Sequence, residues 1–202
     1  MESTVDISAL LERGGFDQKT IDEIKTQAFA NSETLNRFLE VIHKIEANVE
    51  SGQASAPNEA FKLGVCYLLL ADAEKAAEWL EKAPASSARS QYLAQAFREM
   101  KRLKDAISSL EKAATEGANR VECDSMRAEV LIAAGQEDAA AKVLDAIAGQ
   151  AANSAMWHVA KGRLSEARGA LPEAAESYEK ALAIDGNHPW GMFHLAYLAD
   201  IY

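Results

Sequence analysis

A chain of 202 residues with a net charge of −10 repels a phosphate backbone over most of its surface, which tells against nucleic acid as a partner. With 49% hydrophobic residues it can build a sizeable core, yet no apolar run approaches the roughly 20 residues needed to cross a bilayer, so no membrane partner is expected. Its two cysteines, Cys66 and Cys123, lie far apart and outside any CxxC, which predicts packing or an inert thiol and neither a zinc site nor a disulfide framework.

The N-terminal MESTVDISALLERGG carries acids and no hydrophobic signal core, so a cytoplasmic location is expected. Ser3 and Asp6 predict the N-cap of a short helix through Arg13, with Ile7, Leu10 and Leu11 on one face and Gly14-Gly15 as its stop. Asp17 caps a second helix holding Ile21, Ile24 and Ala28, and a third runs from about Ser32 to Glu50. Ser51 to Asn58, SGQASAPN, reads as a linker. Residues 1–58 hold ten acids and five bases against 21 and 16 in the remainder, so the shorter segment is the more acidic. Residues 1–57 are expected to form a helical cap over Phe61, Val65, Leu68 and Leu69, with a docking module or dimerisation arm as the alternative.

From Pro57 onward the predicted helices alternate in pairs: 58–70 and 73–83, 87–101 and 104–115, 119–134 and 137–148, 153–168 and 172–184, then one from 189. Asp72, Asn119 and Asn153 are the expected caps, Pro172 sits in a first turn, and Gly135 and Gly169 occupy turns that call for a left-handed residue. Ala174, Ala140 and Ala106 are spaced by 34 residues, and Ala76 lies 30 before the last of these. A second small column, Gly64, Ala94, Ala128, Gly162 and Ala196, runs through the first helix of each pair. Small residues there let paired helices approach, and large columns fill the gaps: Leu80, Leu110, Leu144 and Tyr178, with Tyr67, Phe97 and Leu131.

This period and these columns resemble the tetratricopeptide repeat family, whose pattern is W-x₂-L-G-x₂-Y followed by A-x₃-F, A and P. Leu63-Gly64, Tyr67, Ala76, Leu80 and Ala83 make the best-matching unit. The chain departs from the pattern at the tryptophan place, which holds Ala60, Ser90, Asp124, His158 and Met192, although Trp157 lies one residue away. Arg127 and Lys161 stand where leucine is expected, and the unit-ending proline is missing. The resemblance implies an all-α protein: a right-handed α-solenoid of helix–turn–helix units at about 58–86, 87–118, 119–152 and 153–188, a half unit at 189–202, and the N-terminal cap.

It also implies a binding scaffold holding a peptide or partner protein in a groove lined by the first helices, and since the sequence has no GxGxxG, P-loop, nucleophile elbow or paired metal ligands, no enzyme, cofactor or metal is expected. Residues flanking the small column are the expected lining: Gln91, Gln95, Arg98, Glu122, Ser125, Glu129, Val159, Arg163, Glu166, Phe193 and Tyr197, with Phe61 and Val65 in the first unit. The places matching the family's clamp for chaperone C-termini hold Phe61, Val65, Tyr92, Glu122 and Met126, so that clamp is not expected. Arg98, Lys101, Arg102 and Lys104 read as a solvated basic turn, and His188 and His194 as surface residues. Trp190, Phe193 and Tyr197 suggest an aromatic patch on a last helix that is apolar on every side. Three expectations follow: the chain is the recruiting or regulatory part of a longer protein with an effector domain beyond Tyr202, that helix makes a homo-oligomer by pairing with another copy, or repeat ends stack head to tail in a self-assembling scaffold.

Overall fold

In a computed structural model, the described residues, 7–12 and 16–201, form twelve helices and no strand. The predicted Ser3–Asp6 cap, the Gly14-Gly15 stop and Tyr202 lie outside them. The chain divides into two compact units, one ending at Ala85 and the other spanning Ser86–Tyr202.

The first unit holds α1 (Ile7–Glu12), α2 (Gln18–Ala28), α3 (Ser32–Glu50), α4 (Ala56–Leu69) and α5 (Ala73–Lys82). Asp17 caps α2 by accepting from the Thr20 amide at 2.8 Å. Asn31 and Thr34 cap α3 reciprocally, which satisfies two amides that a helix start leaves without partners. Leu10, Leu11, Ile24, Phe38 and Ile42 are fully buried. α3 meets α4 through a hydrogen bond from the Tyr67 hydroxyl to Glu46 at 2.6 Å, and Phe16 packs edge-on against Phe61 with centroids 5.7 Å apart. The predicted linker is shorter than expected, because α4 already begins at Ala56 with Pro57 in its first turn, where the missing N–H costs nothing.

The second unit is a run of helical hairpins: α6 (Ser87–Glu99) with α7 (Leu103–Thr115), α8 (Arg120–Ala133) with α9 (Glu137–Ala151), and α10 (Ala155–Ala167) with α11 (Leu171–Ile184), followed by α12 (Pro189–Ile201). Several boundaries differ from expectation, α6 ending two residues early at Glu99 among them. α9 continues through Gly149 to Ala151, and Ser154 rather than Asn153 caps α10, its hydroxyl accepting from the Trp157 amide at 3.3 Å. The core alternates small and large: Ala128, Ala140 and Ala160 interleave with Leu131, Leu144, Ile147, Trp157 and Leu164, and Ala174 and Ala181 with Val159, Tyr178 and Leu198. Gly162 is small because the Tyr178 ring lies against it; a Cβ there would stand 2.5 Å from the ring.

One turn geometry recurs inside every hairpin. Ala71, Lys101, Gly135 and Gly169 all have positive φ, between 59° and 75°. The next amide in each case reaches back to a carbonyl five residues earlier, as in Asp72 to Tyr67 and Arg102 to Phe97 at 2.9 and 2.8 Å. This is a left-handed C-terminal cap, for which glycine carries no Cβ penalty and other residues pay roughly 1–2 kcal/mol. Lys101→Gly should therefore raise stability by about 1 kcal/mol in urea denaturation with an unchanged m-value.

Candidate protein-interaction surface

Within the second unit, Ser90, Asp124, Arg127 and His158, which depart from the repeat pattern, carry polar contacts. Ser90 donates to Glu116 at 2.6 Å. Buried Asp124 accepts from Arg120 at 3.1 Å and from Arg127 at 3.3 Å, and Arg127 reaches on to Glu111 at 3.1 Å. The arginine in the leucine column and the aspartate in the tryptophan column are thus one paired substitution, which spares either charge an unpaired burial. His158 Nε2 meets the Ala152 carbonyl at 3.0 Å. Its neighbour Trp157 turns into the core, where its indole N–H donates to the Leu144 carbonyl at 3.1 Å and the Lys161 ammonium sits 4.7 Å from its ring.

The first helices α6, α8, α10 and α12 repeat a polar column one residue beyond the small column. Gln95, Glu129 and Arg163 are half-buried in it and Tyr197 is exposed. Arg163 Nη1 lies 3.9 Å from Glu129 Oε2 across the hairpin boundary. Burial pushes the Glu129 carboxyl above its usual range, against the pull of Arg163, Arg98 and His188. Arg98, one turn further along α6, adds its electrostatic pull on the same carboxylate. Glu122 is exposed at the start of α8, and Gln95 donates to Glu99 at 3.2 Å.

The column three residues before the small one behaves otherwise. Ser125 and Val159, expected to line a groove, are 0% and 1% exposed, so neither is open to a ligand. Val159 packs with Tyr178 of α11 and Leu198 of α12, making this flank the contact between successive hairpins. Gln91 is half-buried, with its amide 3.9 Å from the Cys123 sulfur, and Phe193 at the far end of the column is exposed. Both cysteines are buried, and burial raises both thiols, Cys66 to about 12. The turn at Lys101–Lys104 is partly neutralised: Arg102 pairs with Asp105 at 2.7 Å and stacks 4.4 Å over Phe97.

His194 is not a surface residue. Its ring stacks on Tyr178 with centroids 5.1 Å apart, and its Nδ1 stands 3.1 Å from Glu166 Oε2, which also accepts from the Tyr178 hydroxyl at 2.7 Å. Glu166, an expected lining residue, is thereby committed to holding α10, α11 and α12 together. Burial lowers the His194 pKa from 6.5, with Arg163 lowering it further and Glu166 opposing. The folded state thus favours the neutral ring: this contribution to stability is full above pH 6.5 and is lost as pH falls below it toward the folded pKa. Thermal melts of wild type and His194→Gln should diverge in slope below pH 6.5, with wild type losing more. His188 instead accepts from the Gly191 amide at 3.3 Å, opening α12.

A family model described as tetratricopeptide repeat matches residues 97–164, from the end of α6 into α10. Residues 97–164 carry tetratricopeptide repeats. Solved structures agree in fold. A tetratricopeptide-repeat protein of Thermus thermophilus is 20% identical over 91% of this chain and 99% of its own, with a TM-score of 0.62. MamA is 19% identical over 77% of this chain and 92% of its own, at 0.61. YrrB, titled a tetratricopeptide-repeat protein with an unusual peptide-binding site, is 16% identical over 95% of this chain and 98% of its own, at 0.59. At these identities the likeness concerns the fold alone. No curated protein sequence matches the chain significantly. Among the described residues no helix is long and apolar enough to cross a membrane.

Proposed function

We propose that this chain is a non-catalytic cytoplasmic scaffold whose α6–α8–α10 face receives an extended peptide or a partner's helix. The observation that carries the reading is half-buried Glu129 of α8, which lies 3.9 Å from Arg163 of α10 and under the electrostatic pull of Arg98 from α6. Such a row offers donors and acceptors at repeat spacing, while partial burial strengthens each contact relative to open water. Arg163 holds Glu129 only loosely, so an incoming carboxylate or carbonyl can take that guanidinium without breaking a tight pair. The contacting set is Gln95, Arg98, Glu122, Glu129 and Arg163; Ser125 and Val159 stay behind it as packing residues. That a similar fold is titled for a peptide-binding site is consistent with this use. In the first unit, α1–α3 serve as the cap that covers α4.

Panning a random peptide library on the immobilised chain tests this reading. Enriched peptides should bind about tenfold more weakly to Arg98→Ala or Arg163→Ala, the loss expected for one charge-assisted hydrogen bond. An unselective library, or peptides indifferent to both substitutions, would count against the face.

A further inference from the structure

The last helix repeats the packing column of the hairpins before it, yet shows that column to solvent. Ser125, Val159 and Phe193 are spaced by 34 residues and occupy one position of the repeat. The first two are sealed inside the stack, and Val159 meets Leu198 of the following first helix. Phe193 is 59% exposed, and among the described residues no further helix lies on it. Trp190 and Tyr197, at helical spacing on the same face, are 58% and 50% exposed. Trp190 and Phe193 stand edge to face with centroids 6.1 Å apart, a rigid aromatic pair of the kind that anchors interfaces. This face therefore continues an interface already used between α8, α10 and α12.

The charge pattern selects the occupant. The chain carries a net charge of −10, so two copies repel over most approaches. From Pro189 to Ala199 there is no Asp, Glu, Lys or Arg, and Asp200 is the first charged residue after Asp185. The aromatic face is thus a window through which one acidic chain can meet another with little repulsion. Contact of one patch with itself about a two-fold axis is self-complementary and closes at two subunits.

We propose that α12 is a self-association surface, on which Trp190, Phe193 and Tyr197 of one copy pack against the same residues of a second. This is independent of the peptide reading, since it uses none of Gln95, Arg98, Glu129 or Arg163. Sedimentation equilibrium of the 202-residue chain across the micromolar range should show the mass rise from 21.8 kDa toward twice that value. Phe193→Glu should weaken the dimer about tenfold or more while leaving the far-ultraviolet dichroism and melting temperature unchanged. Tyr197→Glu, at a separate exposed position, serves if Phe193→Glu does not fold. Met192→Glu, exposed on another side of α12, should leave the dimer intact. A mass fixed at 21.8 kDa at every concentration overturns the proposal, as does a dimer that survives both aromatic substitutions or is lost in Met192→Glu.

Discussion

Gly162→Ala is expected to cost about 2 kcal/mol net, although alanine is the better helix former by about 1 kcal/mol. The added methyl would stand 2.5 Å from Tyr178 Cε1, 2.7 Å from Cδ1 and 2.8 Å from Cζ. The ring has nowhere to go. Tyr178 is fully buried, its hydroxyl is bonded to Glu166 at 2.7 Å, and its other face carries His194 at 5.1 Å. Elsewhere in the column alanine is accepted, as Ala128 is in the core that holds Leu144. The clash therefore belongs to the pair, not to the helix. Adding Tyr178→Leu to Gly162→Ala should cost less than the sum of the two single changes, and a double-mutant cycle by urea denaturation reads that coupling directly. Additive effects would show that the glycine is there for another reason.

Trp157→Ala should be the most damaging single truncation in the second unit, at about 4 kcal/mol. Its indole packs in the core shared by α8, α9 and α10, among Leu144, Ile147, Ala160 and Leu164. Truncation opens a cavity there, removes the bond to the Leu144 carbonyl and strips the Lys161 ammonium of the ring it covers. For a chain of this size the melting temperature should fall by about 10 °C. Trp157→Phe keeps most of the volume and loses the indole donor, so it should cost about 1 kcal/mol. If the phenylalanine variant were as damaged as the alanine variant, the hydrogen bond and not the packing would dominate.

The repeat was legible because its causes are local. Small residues at 34-residue spacing, caps at Asp72 and Asn119, Pro172 in a first turn, and glycines at 135 and 169 each report on a neighbouring turn of helix or backbone. What escaped depends on other hairpins. Ala71 and Lys101 take the same left-handed turn as Gly135 and Gly169, but nothing in either side chain announces it. The small column marks where two helices touch without saying which flank the next hairpin will cover, so Ser125 and Val159 read like Glu129 and Arg163 although the stack buries them. His194 looked solvent-facing because its partners, Tyr178 and Glu166, come from α11 and α10. The tyrosine standing in a leucine column was the available signal: its hydroxyl demands an acceptor, and Glu166 supplies it.

The most direct test of the central claim is amide hydrogen exchange of the chain with and without a library-selected peptide. Slowed exchange should concentrate in α6, α8 and α10, on the segments carrying Gln95, Glu129 and Arg163, and should vanish in the Arg98→Ala, Arg163→Ala double variant. Protection confined to α7, α9 and α11, or to the first unit, and unchanged by that variant, would place binding elsewhere and contradict the account.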